Sequence, residues 1–600
     1  MNRLFPLLTV ALLFPLLNMY AQTVNEYTIS FENAVHHEAK IKATFSNLDL
    51  KPLEIRMSRT SPGRYAIHDF AKNVYSVKAF DEGGKELEIT RPNPQQWDVH
   101  GHNGTVHFEY TLYANRGGGT YSQVDETHAH LNIPATFVFP RDYQHRPVHI
   151  TFDVREDLNW QVATQLKWLE GNTYFAPDTY YFMDSPAEIA DFYLREEVVD
   201  GQLIRLALHT QASDSEVNEY FSKVISIVHA QRDVFGELPR FDYGEYTFLS
   251  CYMPNASGDG MEHRNSTFVT GSKDLDEPLA DYRMGTISHE FFHAWNVERI
   301  RPASLEPFDF EEANMSGELW FAEGFTSYYT GLMMARAGVR TPEEYIEGLD
   351  GTLNYVINSP GRQFFNPIEM SYRAPFVDAA TSIDPTNNNN IFVSYYSYGS
   401  VLGLALDLSL RTLRNDLNLD DYMKLLWEKY GKTEVPYTVR DLESALKEYA
   451  GEEFASSFFD QYIYNSAMPD YKALLQQFGV NFELENPGQA SLGGTIREQG
   501  GVWRLTSNAL IGSPLYEAGI EAEDEIISIG GVRLSSVESV DEILERRRPG
   551  QSLEIVFSRW GKEKRARVTL VESNRIKTEI NTRANRQARA KREAWIQGDS

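Results

Sequence analysis

Over residues 27–31, 39–45, 106–112 and 148–154, apolar and polar side chains alternate with a period of two. Successive side chains of a strand point to opposite faces, so such segments bury an apolar face only within a sheet. Turn clusters, Ser61-Pro62-Gly63 and Asp81-Glu82-Gly83-Gly84, separate them. Residues 22–200 therefore read as a β-sandwich-like domain. Beyond residue 200 the period changes. A helix is expected around 215–235 and strands near 246–252 and 266–269. Further helices are expected around 278–298, 316–336, 396–413, 419–430, 438–450 and 454–464. Residues 379–390 carry no periodic signal and read as a loop. The whole is a multidomain α+β chain.

A hydrophobic content of 42% with 13% aromatic residues excludes global disorder, and 600 residues are long for one domain. A net charge of -29 argues against nucleic acid and anionic membrane surfaces as partners. Residues 1–21 read as a cleavable secretory leader, with Arg3 before an apolar run and a cut after Ala21, although Met19 stands where a small residue is usual. The mature chain is then periplasmic or secreted. Cys251 is the only cysteine, so no intramolecular disulfide forms and stability must come from packed cores. No other span reads as long and apolar enough for stable membrane insertion.

His289-Glu290-Phe291-Phe292-His293 carries the chemistry. Positions four apart share one helix face, so His289 and His293 can aim two imidazoles at one metal ion. Glu290 stands beside them as a carboxylate able to take a proton from an attacking water. Pro278 and acidic residues suit the helix start. A third ligand has to come from another element, with Glu323 in Leu319-Trp320-Phe321-Ala322-Glu323-Gly324 the best candidate and Glu312 and Glu318 competing on spacing alone. His128 and His130 would share one face of a strand. A metal role is open to them, and buried polar histidines are the commoner reading.

The Trp320 to Gly324 segment resembles the Trp-x-x-Glu-Gly segment of gluzincin metallopeptidases, and that resemblance selects Glu323. The sequence is similar to the glycyl aminopeptidase family over His289 to Asn296, Arg299-Ile300-Arg301-Pro302, Glu262 to Thr267, and Ser61-Pro62-Gly63-Arg64-Tyr65 with Asp69-Phe70. The resemblance implies a thermolysin-like catalytic domain over 201–395, a helical domain over 396–487, and one Zn2+ on His289, His293 and Glu323. It implies removal of small amino-terminal residues, glycine or alanine, from peptides with a free amine. Gly260-Met261-Glu262 would hold that amine, and Tyr396 in Tyr395-Tyr396-Ser397-Tyr398-Gly399 would stabilise the oxyanion, with Tyr395 and Tyr398 as alternatives. Two departures stand out: Asp259 replaces a usual glycine, and Glu298 a usual lysine. Residues 488–574 resemble a PDZ domain, with Leu492-Gly493-Gly494 as the loop for a peptide carboxyl terminus. Residues 575–600 read as a basic, solvated helical tail. An endopeptidase of the same clan and a non-catalytic peptide-binding protein are the competing functions.

Overall fold

The computed structural model describes residues 23–275, 283–378, 384–413, 417–534 and 539–598. The leader expected at 1–21 and the expected helix start at Pro278 lie outside them. The amino-terminal region is β-rich, as its alternation requires. A seven-stranded, a five-stranded and a four-stranded sheet lie within residues 25–190. In Val106–Tyr113 every second residue is buried, and Asn25–Asn33 repeats the pattern. The inward residues, among them Ile29, Phe31, Ile41, Trp97, Phe108 and Phe152, form one core with Phe308 and Phe310, which reach in from the catalytic part.

The catalytic part begins with a five-stranded sheet in the order Tyr193–Val199, Gln202–Thr210, Glu245–Tyr252, Ser266–Gly271, Asp259–His263. The last strand runs antiparallel to its neighbour at the sheet edge. The crossover between two parallel strands is the helix Asp214–Phe235. Ser213 and Glu216 close a capping box at its start, and Gly236 ends it at φ +83°. Its apolar side packs into a single core with the helices that follow.

Several helices differ from expectation. The regular turn of the first metal-site helix is Met284–Phe292, shorter than 278–298, because the amides of Val297 and Glu298 both reach back to the His293 carbonyl and widen the coil. The expected 316–336 helix divides at Glu323 into Leu319–Ala322 and Gly324–Arg336. The helix Pro342–Asn358 was not expected, although Thr341 and Glu344 write its capping box in the sequence. Within the expected loop at 379–390, residues 379–383 lie outside the described set, and Asn388–Ile391 forms a helical turn. The segment Asn388–Leu410 does reach membrane-like hydropathy, contrary to expectation, but its most apolar 18-residue window is 72% buried as a core element.

Residues 490–572 form a β-rich module with its own core of Leu492, Leu515, Ile529, Ile543 and Ile555, and with short helices Pro514–Glu517 and Val540–Glu545. The solvated tail expected after it is not what forms. Ile576–Ile580 is a strand paired antiparallel with Val480–Leu484, so chain enters and leaves the module through adjacent strands. The helix Arg586–Gln597 then returns to the catalytic core, where Trp595 is fully buried. The Trp595 indole donates to the Tyr328 hydroxyl at 2.9 Å and meets the rings of Tyr345 and Phe478 edge-on.

Candidate active site

His289 and His293 project from the end of the helix Met284–Phe292. Their Nε2 atoms lie 3.1 Å apart, and Glu323 Oε2 lies 3.4 Å from the first and 3.3 Å from the second. A tetrahedral ion with bonds of about 2.0–2.1 Å has ligand-to-ligand edges of about 3.3–3.4 Å, which this triangle matches. Glu323 Oε2 is buried and accepts no hydrogen bond, an orphaned oxygen facing two imidazoles. These residues could hold a divalent metal. Glu318 instead accepts from the hydroxyls of Ser304 and Ser316, and Glu312 is exposed, so neither competes.

Hydrogen bonds set how the ligands present themselves. His293 Nδ1 donates to the Asn296 carbonyl at 2.5 Å. His289 Nδ1 donates to Thr330 Oγ1 at 3.2 Å, because that hydroxyl gives its own proton to the Thr326 carbonyl. These partners assign the proton of both rings to Nδ1, leaving the Nε2 lone pairs for the triangle. The Asn296 side chain also holds the Ala322 carbonyl at 3.2 Å, so one residue orients ligands on both helices. The Tyr65 hydroxyl, from the amino-terminal domain, donates to Glu323 Oε1 at 2.6 Å. Replacing Tyr65 with Phe is expected to weaken metal affinity by ~10–100-fold. A chelator titration of activity reads this directly, and an unchanged midpoint would refute the role.

Glu290 and Glu262 flank His293, with ligand atoms of all three within 4.8 Å of one another. Burial pushes the Glu290 carboxyl upward, and the charges of Glu262 and Glu323 add to it against the pull of His293. Glu262 is raised by the same burial, opposed by His293. Burial would lower His293, but without a metal the field of Glu262 and Glu323 overrides it, to about 10, so a bound cation would take the place of a second proton on Nε2. Three carboxylates around two imidazoles make a buried pocket that favours cations. Glu262 lies on the edge strand Asp259–His263. A Cβ at Gly260 would sit 2.2 Å from Glu290 Oε1, so only glycine lets the strand pass this close to the carboxylate. Met261, in contrast, faces the other way and is fully buried against Leu249 and Phe268, so its side chain cannot meet a substrate.

Tyr396 is half-buried, its ring 5.9 Å from that of His289 and packed on Tyr395. Burial raises its hydroxyl well above the usual range, with the Glu323 charge adding, so it remains a proton donor. Tyr398 is fully buried, and Tyr395 meets Tyr65 edge-on. Tyr396 stands beside Glu323 because two helices touch backbone to backbone. A Cβ on Gly324 would lie 2.3 Å from the Gly399 Cα, and one on Gly399 would lie 1.8 Å from the Trp320 carbonyl oxygen.

Two models of one peptidase family match the sequence. The Peptidase M61 N-terminal domain covers residues 26–191, and the M61 glycyl aminopeptidase model covers residues 282–402, which include His289, Glu290, His293, Glu323 and Tyr396. The chain carries both M61 peptidase domains and is a peptidase. A crystal structure of an aminopeptidase N family protein from Idiomarina loihiensis shares the fold at TM-score 0.84 and 24% identity, covering 96% of this chain and 100% of that one. An M1 zinc metallopeptidase from Deinococcus radiodurans is similar over 75% of this chain and 94% of that one at TM-score 0.40 and 12% identity, too loose a likeness to argue from. No curated protein matches.

In this M61 peptidase the two departures have local explanations. Asp259 does not leave a free charge for a substrate amine, because Arg64 Nη2 pairs with its Oδ1 at 2.6 Å and also donates to the Gly260 carbonyl. Glu298 is half-buried and pushed up to about 7 by desolvation and by Asp184, with Arg301 opposing. Arg64, Tyr65 and Asn296 were all visible within the motifs. What the sequence lacked was any local signal of what each one touches.

Proposed function

We propose that this M61 peptidase is a zinc aminopeptidase acting on peptides with a free, small amino-terminal residue. The triangle of His289, His293 and Glu323, with an orphaned buried oxygen on Glu323, carries the reading. Those three residues would hold zinc, their mix of imidazole and carboxylate donors being one it accepts. When bound, zinc supplies Lewis acidity to the attacking water and the scissile carbonyl. Glu290 takes the proton of that water and returns it to the leaving amine. The Tyr396 hydroxyl donates to the oxygen on which charge develops. Glu262, next to His293 and Glu290, pairs with the substrate ammonium and so anchors the amino terminus close to the cut bond.

A free-amine dipeptide amide and its Nα-acetylated form separate this from an endopeptidase. Acetylation is expected to abolish cleavage, and Glu262→Gln to raise KM for the free amine. Equal rates on both substrates would discard the aminopeptidase reading. The expected leader supports export of the enzyme to the periplasm or beyond. In the carboxy-terminal module, strand Ile496–Gln499 and helix Val540–Glu545 are bridged by the exposed pair of Arg497 and Asp541 at 3.3 Å. Leu492, Gly493 and Gly494 precede that strand, with Gly493 at φ +71°. This arrangement supports a PDZ-like module that receives a peptide carboxyl terminus.

A further inference from the structure

Away from the active site, four metal-ligating side chains meet where the amino-terminal domain abuts the catalytic sheet. His128 and Glu188 come from the strands His128–Leu131 and Ala187–Ala190, which pair in one sheet. His209 and Cys251 come from Gln202–Thr210 and Glu245–Tyr252, where they are register partners in the catalytic sheet. One donor atom from each of the four lies within 4.8 Å of the others, and all four residues are buried. Cys251 Sγ is 3.6 Å from His128 Nδ1 and 3.4 Å from His209 Nδ1. Glu188 Oε1 is 2.8 Å from His128 Nδ1 and 3.8 Å from His209 Nδ1.

We propose that His128, Glu188, His209 and Cys251 form a second metal site, a closed tetrahedral zinc centre that fastens the amino-terminal domain to the catalytic sheet. With zinc-to-sulfur bonds of about 2.3 Å and zinc-to-nitrogen bonds of about 2.0–2.1 Å, sulfur and nitrogen ligands stand about 3.5–3.6 Å apart. Both Cys251 distances fit. The two Glu188 distances straddle the value of about 3.3 Å expected between oxygen and nitrogen, so a small shift of one carboxylate completes the tetrahedron. The environment supports the same assignment. His128 Nε2 is buried without a hydrogen-bond partner. The nearby Asp125 carboxylate, 3.8 Å away, stands on the side of the ring where such a group supports a ligating histidine once it closes to hydrogen-bond distance. Glu188 is held by its other oxygen, which accepts from His130 Nδ1 at 2.8 Å. Four protein donors leave no position for substrate, which makes the role structural. The His130 ring stacks on Phe268 at 3.9 Å, and Phe268 is the register partner of Met261 on the edge strand that carries Glu262. The centre thus braces the strand on which the active site depends.

Metal analysis of the full chain is the test, because the two sites report separately. The wild type is expected to carry two zinc ions, His293→Ala one and Cys251→Ser one. Loss on His293→Ala concerns the proposed catalytic zinc, and loss on Cys251→Ser concerns this site alone. Protein produced in zinc-limited, cobalt-supplemented medium adds a signature that needs no variant. Thiolate bound to Co2+ gives a near-ultraviolet charge-transfer band, which His293→Ala is expected to keep. Wild type holding a single cobalt ion without that band, or a Cys251→Ser protein with unchanged zinc content, would overturn the proposal.

Discussion

Glu290→Gln is expected to lower kcat by ~10²–10⁴-fold while metal content stays at the wild-type level. The substitution preserves shape where shape is tightly constrained, since the Glu290 carboxyl packs against the Gly260 backbone. It removes only the ability to accept a proton. In the metal-free enzyme little is given up in exchange, because Glu290 is buried beside Glu262 and Glu323 and its ionised form is disfavoured there. The variant should therefore melt at the wild-type temperature or above it, the pattern expected when a catalytic group is held against its own stability. Paired measurement of kcat and Tm decides the matter. Activity within a few fold of wild type would remove Glu290 from the proton path.

Trp595→Ala is expected to destabilise the catalytic part by about 3–5 kcal/mol, the cost of emptying a fully buried tryptophan site. The indole fills a pocket between Tyr328, Tyr345 and Phe478, and its loss also removes the donor to the Tyr328 hydroxyl, which keeps only its own bond to Asp407. The preceding strand adds to the clasp. Thr578 donates to the Ile346 carbonyl at 2.6 Å, and Asn354 exchanges two hydrogen bonds with the Ile576 backbone. Truncation at residue 488 should then fail to yield folded enzyme, whatever the module does. Replacing residues 485–575 with Asn-Gly is the discriminating design, because Leu484 and Ile576 are register partners and a two-residue turn can close that pair. Thermal melts are expected to show a large loss for Trp595→Ala and a small one for the excision, which should still cleave dipeptides, while the truncation gives no folded protein to melt. A Trp595→Ala melt indistinguishable from wild type would refute the clasp.

Legibility followed sequence distance. His289, Glu290 and His293 announced themselves because one helix turn carries all three. The amino-terminal alternation was equally plain, since a strand writes its burial in every second residue. Glu323 required a family resemblance, because the interval between two helices has no fixed physical length. The Arg64 pairing with Asp259 and the meeting of His128, Glu188, His209 and Cys251 join residues far apart in the chain, and nothing local foretells such partners. The tail misled for a different reason. Its many arginines and lysines suggested solvation, yet Ile576, Thr578 and Ile580 alternate, and one buried Trp595 outweighs an otherwise polar helix.

The glycine-to-glycine crossing of the two active-site helices has a consequence for motion. With no side chain between them at Gly324 and Gly399, Glu323 and Tyr396 have no slack in which to slide, and they travel as one rigid piece. Any breathing of the cleft during turnover must be supplied by the opposite wall, where the edge strand and the Arg64 latch are held by side chains that can let go.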